Sequence, residues 1–407
     1  MNQDRLIPRL LHHVSSQRED IVTLCADLVS APSVNPAGDT RQVADVVTRA
    51  LRERGISSRQ EQAVPTMPSV LAEIDSGRPG LHLVLNVHLD TMPPGDETEW
   101  TQPVWELTRT KGRLYGLGMG NMKGAVAAMI TATALLSEHR DSWSGRITFA
   151  AVSDEVVFGD NGAAYLLREH PDLLGDGLLC GEGPGFERLA LGEKGVLWVE
   201  LSAEGPSGHS SAVLHGASAS ARIAKAVTRV DDLNGLTGTL PAELSVMSCE
   251  GEQTDPGLVL SANVGTVAAG TFVGQIATRA TAEVDLRLPP GISAEQAMAL
   301  VEDAVKDVET LRVRELKGWD ANWTGPDAPL ARAWAKASTV VRHEPQKYAI
   351  RLPASDASRW RRAGVQALCY GPQPTWSAGT DDYAEEDEVL RCASLYTLTA
   401  LGFLGTP

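Results

Sequence analysis

The sequence has few cysteines, and they are not arranged as in a metal or disulfide site. The five are odd in number, lie far apart and form no C-x-x-C pair: Cys25, Cys180, Cys249, Cys369 and Cys392. Disulfide-rich secreted domains and cysteine-based zinc sites use closely spaced, usually even sets, so both are disfavoured. The cysteine content predicts a protein of the reducing cytoplasm.

Long apolar segments and an excess of positive charge are also missing. No apolar run reaches the roughly 20 residues that span a bilayer. The N-terminal MNQDRLIPRLLHHV has charges and histidines where a secretory signal has an apolar core. The net charge of −16 argues against nucleic acid or anionic lipid as partners, because nothing offsets phosphate repulsion. We therefore predict a cytoplasmic protein without membrane or nucleic-acid partners.

The first third of the chain alternates between helix and strand patterns. Helical spacing of apolar residues predicts helices over 41–56 and 124–139, and β-rich runs predict strands over 81–90 and 145–155. Such alternation predicts an α/β domain with a largely parallel central sheet, in which ligands bind where the strands end. The HLD and SDE sequences lie at two such strand ends.

The pattern changes from about Val196. A β-α-β-β-α order follows, which is typical of a small α+β two-layer sandwich, and after Lys317 the helix and strand patterns of the first domain return. At 407 residues the chain is also longer than one core usually organises. We predict one α/β domain from 1–195 and 318–407, interrupted by a smaller domain over 196–317.

Candidate functional residues cluster at the predicted strand ends. His88 and Asp90 are two residues apart on a strand and so share a face. A carboxylate in that position can fix the tautomer of a metal-binding histidine. The glycine-rich turn YGLGMGNMKG (115–124), the SDE strand end and GEGP (181–184) strengthen the prediction of a site here.

An ordered set of motifs resembles one group of enzymes along essentially the whole chain. The motifs are LVSAPSVNPAGD, HLDTMPPGD, YGLGMGNMKG, SDEVVFGDNGA, GEGP, GHSS, VDLRLPPG and SDAS. This set resembles the acetylornithine deacetylase, succinyl-diaminopimelate desuccinylase, aminoacylase and carboxypeptidase G family of zinc amidohydrolases. The resemblance implies a catalytic α/β domain, interrupted by a lid through which the family commonly dimerises, and hence a homodimer.

The resemblance also implies roles for individual residues, since five residues hold two zinc ions in that family. His88 matches the first histidine ligand, Asp90 its orienting carboxylate, and Glu182 the carboxylate that completes the same zinc site. Glu155 matches the general base, which takes a proton from water and passes it to the leaving nitrogen.

Three positions depart from the family pattern. Asn121 stands where a carboxylate bridges both metals, Val156 follows the base where a ligand is expected, and Glu385 stands for the C-terminal histidine. No histidine occurs after His343. We therefore predict that the two-zinc site is lost. His88 and Glu182, with Asn121 as a poor third ligand or a substrate contact, would hold one metal at most, and the protein would carry either no metal or a single zinc, magnesium or manganese ion.

The resemblance in the lid is partial. His209 of GHSS matches a histidine that reaches the substrate's oxyanion across a dimer, and Arg287 of VDLR matches a substrate-binding arginine. Gly274 stands where the family has a lid asparagine, and LPA replaces the glycine-threonine segment before SDAS. The substrate pocket is thus predicted to differ from that of the family.

Three functions remain open. The first is a divergent enzyme that acts on an amide or acyl bond of an amino-acid-like small molecule with Glu155 and His209 as acid and base. Because activated water would be scarce, acyl transfer, cyclisation, elimination or isomerisation are alternatives to hydrolysis. The second is a deacylase or peptidase with one metal, to which Asp381, Asp382, Glu385 and Glu386 could supply oxygen ligands. The third is a non-catalytic ligand-binding relative.

Overall fold

The computed structural model describes residues 3–183, 188–247, 257–374 and 379–405. The chain divides into two compact units. The first unit consists of Met1–Gly192, Trp323–Ala349 and Ser355–Pro407, and the second of Glu193–Asn322 and Ile350–Ala354. The predicted lid, 196–317, falls within the second unit, whereas the short return segment 350–354 was not part of the prediction.

The described residues form the following helices and strands. The helices are α1 (Gln3–Ser16), α2 (Arg18–Val29), α3 (Arg41–Glu53), α4 (Gly124–Glu138), α5 (Ala163–Glu169), α6 (Ala219–Asp231), α7 (Ala294–Val305), α8 (Pro329–Arg342), α9 (Ala357–Arg362) and α10 (Glu386–Leu404). The strands are β1 (Ser58–Glu61), β2 (Ser69–Asp75), β3 (His82–His88), β4 (Thr108–Thr110), β5 (Arg113–Tyr115), β6 (Arg146–Val152), β7 (Gly177–Cys180), β8 (Arg188–Glu193), β9 (Gly195–Glu204), β10 (Ser261–Ala269), β11 (Arg279–Leu288), β12 (Arg312–Trp319), β13 (Asn322–Trp323), β14 (Lys347–Arg351), β15 (Gln366–Cys369) and β16 (Tyr383–Glu385).

The main sheet of the first unit has the strand order β1-β2-β6-β3-β7-β15-β8-β13, with β14 paired to β8. Its centre is parallel, because β3 pairs in parallel with β6 and β7, and β7 with β15. All seven residues of β3 are buried, as expected of a parallel strand covered on both faces. The predicted α/β fold is confirmed, and the predicted strands over 81–90 and 145–155 correspond to β3 and β6.

The second unit has an antiparallel sheet with the order β10-β11-β9-β12. Side chains alternate along β11 between exposed and buried, because one face of the sheet packs on α6 and α7 around a core that includes Leu201, Ile223 and Val301. The predicted two-layer sandwich is confirmed. Strand β12, which follows α7, extends the predicted β-α-β-β-α order.

A third, small sheet with the order β16-β5-β4 flanks the glycine-rich turn over 115–124. Its strands have three residues each.

No helix in the described ranges has the length and apolar character needed to cross a membrane. Four of the cysteines are buried: Cys25, Cys180, Cys369 and Cys392. Cys249 lies outside the described residues.

Candidate active site

His88 and Asp90 lie at the carboxyl end of the central strand β3. Both are almost fully buried. The His88 ring contacts the backbone carbonyl of Asp90 through Nδ1 at 2.8 Å, so that Nδ1–H donates to this oxygen. The Asp90 carboxylate is farther from the same nitrogen, at 3.5 Å. The orientation predicted to come from the Asp90 carboxylate is thus provided mainly by its main-chain oxygen, which leaves Nε2 facing the site.

Three oxygen atoms from separate segments face Nε2 of His88. Asn121 Oδ1 lies at 3.0 Å, Glu182 Oε1 at 3.2 Å and Glu155 Oε2 at 3.7 Å. Burial alone would lower the pKa of His88, but the negative charges of Glu155 and Asp90 outweigh it and raise this pKa to about 9. The arrangement therefore favours a positive charge at this point, either a proton on Nε2 or a metal cation.

Asn121 is held by the glycine-rich turn that precedes α4. Asp382 accepts hydrogen bonds from the backbone N–H groups of Gly118 at 2.8 Å and Gly120 at 3.1 Å. Gly118 has φ of 86°, a left-handed conformation that glycine adopts at little cost. A Cβ atom at Gly120 would lie 2.4 Å from Asp382 Oδ1. The glycines are therefore required by the turn itself, whatever residue occupies position 121.

The loop after β6 positions Glu155. The Asp90 carboxylate accepts the backbone N–H groups of Glu155 at 3.2 Å and Val156 at 3.0 Å. Asp154 adopts φ of 62°, which is uncommon for a residue other than glycine and indicates a constrained turn. Glu155 is 6 % exposed, so its carboxyl group lies at the floor of the site.

The predicted degenerate positions supply no further ligand. Val156 is half-buried and has no donor atom, and Glu385 has a side chain that is 41 % exposed and 3.7 Å from Arg113. Among the described residues, His88, Glu155 and Glu182 alone form a group of three metal-binding side-chain types with ligand atoms within 4.8 Å of one another.

The four acidic residues considered as an oxygen-ligand site have other partners, so that interpretation is corrected. Asp381 accepts from the backbone of Thr101 and Gln102, and Asp382 accepts from the turn described above. Glu386 pairs with Arg18 and Arg109. These carboxylates stabilise loops and helix ends, because each is bound to backbone N–H groups or guanidinium groups, and Glu385 pairs with Arg113.

The donors around Nε2 of His88 have the spacing of ligands around one cation. Ligands of a tetrahedral zinc ion lie about 3.4 Å apart for bonds of about 2.1 Å, and Nε2 of His88 is 3.0 and 3.2 Å from the Asn121 and Glu182 oxygens. The family resemblance assigns a second cation to Asn121, Val156 and Glu385. Of these, Val156 has no ligand atom and the Glu385 side chain lies 3.7 Å from Arg113.

Two residues that the sequence analysis did not assign lie beside Glu155. Asp356, within the SDAS motif, is 5 % exposed, and its burial and the nearby charge of Glu155 raise its pKa to about 7. Arg359 donates to the carbonyl oxygens of Gly159 at 2.9 Å and Phe158 at 3.4 Å, which ties α9 to the Glu155 loop. In the sequence, the SDAS motif was the feature that marked Asp356, but the motif alone did not assign a role to this residue.

The candidate residues of the second unit can be described within that unit. His209 is exposed, and its Nδ1 accepts the backbone N–H of Ser211 at 3.2 Å, so the neutral ring carries its proton on Nε2. It borders a cleft of about 630 Å³ that is also lined by Gly274 and Gln275. At Gly274 a Cβ atom would lie 2.6 Å from the exposed Phe272 ring, which would have to shift to admit a larger residue.

Arg287 is engaged by its neighbour on β11. Its Nε and Nη2 donate to the Asp285 carboxylate at 2.9–3.0 Å. Within the described parts of the chain, the Arg287 Nη1 atom has no hydrogen-bond partner. One nitrogen of this guanidinium group is therefore still available to an anionic group, although Asp285 compensates its charge.

Comparison with known proteins identifies the family. The model of peptidase family M20/M25/M40 matches residues 84–402. The chain belongs to this family. The resemblance inferred from the motifs is thereby confirmed. The M20/M25/M40 model covers both units and includes all of the candidate site residues: His88, Asp90, Asn121, Glu155, Val156, Glu182, His209, Arg287 and Glu385.

Curated M20/M25/M40 relatives match part of the chain. Succinyl-diaminopimelate desuccinylase of Rhodopseudomonas palustris (strain BisA53) is 31% identical over 202 residues, which is 47% of this chain and 51% of the relative. The chain thus spans about half the length of the curated relatives it matches.

Solved structures of low identity share the fold over nearly the full length. Human carnosine dipeptidase 1 matches with a TM-score of 0.74 at 15% identity, and the superposition covers 98% of this chain and 99% of the dipeptidase chain. The dinuclear metal-binding peptidase YXEP of Bacillus subtilis has a TM-score of 0.69 at 14% identity, with coverage of 97% and 100%. At such identities the likeness extends to the fold alone.

Proposed function

We propose that this protein hydrolyses an amide bond of an amino-acid-like small molecule, with Glu155 as the general base and a single divalent cation at His88, Glu182 and Asn121. One observation carries the proposal: His88 Nε2 lies 3.0 and 3.2 Å from two oxygens and Glu155 Oε2 lies 3.7 Å away. These donors have the spacing of ligands around one ion, and the base lies beside them.

The roles of the side chains follow from this arrangement. Glu155 takes a proton from the attacking water and returns it to the leaving nitrogen, the role of a carboxylate held beside the reacting groups. Asp90 fixes both the His88 ring and the backbone at Glu155. A divalent cation, when bound, lowers the pKa of water from about 15.7 to about 7 and polarises a carbonyl group.

The substrate class is proposed from the relatives. The curated relatives are named as desuccinylases and one structural neighbour as a carnosine dipeptidase, so N-acyl amino acids and dipeptides are the first candidates. Arg287 Nη1 is the proposed contact for a substrate carboxylate. Because Asp285 already binds this guanidinium group, we expect only a small difference in affinity between substrates with and without that carboxylate.

A second candidate is an acid/base reaction without a cation, such as acyl transfer, cyclisation or elimination. It is favoured by the lack of a ligand atom at Val156 and by the pairing of Glu385 with Arg113. In this case Glu155 would move the proton alone. A ligand-binding protein without catalysis is the remaining alternative, and it would tolerate loss of Glu155.

We further propose a homodimer formed through the second unit and a location in the cytoplasm. Four large apolar side chains of the second unit are exposed on chain segments that follow His209 or precede its bridge partner Gln275: Val213, Leu214, Phe272 and Val273. Exposed apolar side chains that form a large patch are typical of protein–protein contacts. The Nε2–H tautomer of His209 is the one that could donate to an oxyanion in a neighbouring subunit.

The test is turnover of N-acetyl- and N-succinyl-amino acids and of dipeptides after metal removal and after addition of zinc, magnesium or manganese, together with elemental analysis. We expect turnover that depends on about one metal equivalent per chain, and loss of both metal and turnover in His88→Ala. His12→Ala, which changes an exposed histidine of α1, is the control.

Two metal equivalents per chain would contradict the proposal. Full turnover without metal would instead favour the acid/base alternative. If no reaction is found while a ligand binds tightly, the non-catalytic interpretation replaces both.

A further inference from the structure

Asn35 is a buried side chain that contacts two site carboxylates and has no role so far. It is 2 % exposed and lies between α2 and α3. Its backbone N–H donates to the carbonyl of Thr91 at 2.8 Å, which places the loop against the end of β3. Its amide nitrogen donates to Asp90 Oδ2 at 2.9 Å and to Asp154 Oδ1 at 3.1 Å.

The two carboxylates that Asn35 bridges control the backbone on both sides of Glu155. Asp90 accepts the N–H groups of Glu155 and Val156. Asp154 is the residue before Glu155, and its left-handed φ of 62° sets the direction of the following peptide. One amide group thus determines how both anchors of Glu155 are placed.

The chemistry of the bridge requires an amide. Its NH₂ group has two N–H donors, one for each carboxylate, and carries no charge. An aspartate in the same position would add a third negative group beside the other two, and a serine would be too short to reach both. Each of these buried carboxylates would lose one of its donors without the bridge, so we expect Asp90 and Asp154 to be held less firmly.

We propose that Asn35 is a positioning residue, which holds Glu155 in place by bridging Asp90 and Asp154. The proposal rests on the proposed function in so far as Glu155 is the base. A shift of about 1 Å in a reacting group can cost on the order of a hundredfold in rate. Loss of the bridge is therefore expected to act on kcat more than on KM, because Asn35 lies behind the base and not in the substrate's path.

The test uses Asn35→Ser, which removes the bridge, and Asn35→Leu, which keeps a similar side-chain volume without a donor or a charge and supplies a second variant should the first fold poorly. Asn161→Ala is the matched control. Asn161 donates to the other oxygen of Asp154 at 2.8 Å, and none of its hydrogen bonds in the described chain involves Asp90. Each full-length variant is examined by amide hydrogen exchange and by kcat and KM on whichever N-acyl amino acid or dipeptide the wild type hydrolyses.

We expect the Asn35 variants to raise exchange of the Glu155 and Val156 amides by about tenfold or more and to lower kcat by about 10- to 100-fold, with KM within about threefold. Asn161→Ala removes one donor to Asp154 but leaves the contacts of Asp90 intact, so it should change the exchange of these two amides less than the Asn35 variants do. Unchanged exchange there, or an equal rise across the whole first unit, would overturn the proposal, as would an unchanged kcat. If the wild type hydrolyses none of the compounds, the proposed function fails, and the exchange result still decides the role of Asn35.

Discussion

Glu155 is a carboxyl group buried just after β6, beside three other polar side chains of the site. Burial of an ionisable group costs several kcal/mol unless it is partnered, and a hydrophobic residue would avoid that cost. Glu155 Oε2 lies 3.7 Å from His88 Nε2, where a carboxylate could accept a proton from a bound water, and this position favours a chemical use for Glu155.

The first prediction concerns this residue. Glu155→Gln keeps the size of the side chain but removes the proton acceptor, so we expect an unchanged fold and a kcat lowered by about a hundredfold or more. Glu53→Gln, which alters an exposed glutamate of α3, is the control. Steady-state kinetics and circular dichroism check both variants. Full activity of Glu155→Gln on an identified substrate would show that another group is the base.

Individual site residues could be predicted from the sequence where they belong to a short motif. His88, Glu155 and Glu182 were assigned from HLD, SDE and GEGP, and the structure brings their ligand atoms within 4.8 Å; their roles remain predictions. Asn35 was part of a quoted motif but was not assigned, because its partners lie 55 and 119 residues away in the sequence. Contacts of that kind depend on the tertiary fold and have no local pattern.

At the level of elements, strand β3 was predictable because it is rich in the β-favouring residues Leu and Val and ends in polar residues. The strands β4, β5 and β16 were not, because three residues are too few for an alternating pattern and their pairing joins distant segments. The sequence analysis therefore assigned Glu385 to a position where the family's ligand is lost, and considered it as an oxygen ligand in one alternative, without the information that it belongs to a strand. Glu385 closes β16 opposite Arg113, and its side chain is directed by that pairing.

A second prediction concerns His82, the first residue of β3. Its Nδ1 accepts from Arg146 at 3.1 Å and its Nε2–H donates to Thr148 at 2.8 Å. Burial and the charge of Arg146 lower the pKa of His82 from 6.5 to about 4. The folded protein thus favours the neutral ring, so this contribution to stability is complete above about pH 6.5 and is lost as the pH falls towards 4.

We therefore expect the free energy of unfolding to fall by on the order of 2 kcal/mol between about pH 7 and about pH 4.5 because of His82. His82→Gln, whose amide can still accept and donate, should lack this component. Urea unfolding at several pH values measures it, with His12→Gln as the exposed control. Identical pH dependence in His82→Gln and the wild type would contradict the assignment.

At the level of the whole molecule, the third prediction concerns assembly. Phe272 and Val273 are 66 % and 91 % exposed, and burying two such side chains contributes about 3 kcal/mol or more. We expect a dimer at micromolar concentration. Replacing both residues by serine should raise its dissociation constant by about a hundredfold or more. Light scattering is the measurement.

The control for this experiment is Val246→Ser, which changes another exposed valine of the second unit and should leave the dimer intact. A wild-type monomer would remove the proposed role of His209 in a neighbouring subunit. It would leave the proposed role of Glu155 unaffected, because that role depends on residues of the first unit.

The strand order of the main sheet has a consequence for synthesis on the ribosome. Strand β15 lies between β7 and β8, yet it emerges about 170 residues after β8. Synthesis proceeds at roughly 5–20 residues per second, so for about 10 to 35 s β7 and β8 have been made but β15 has not. During this time the edges of β7 and β8 that pair with β15 have unpaired backbone groups. Those edges are the sites at which a partly synthesised chain would be expected to pair with a neighbour or to recruit a chaperone.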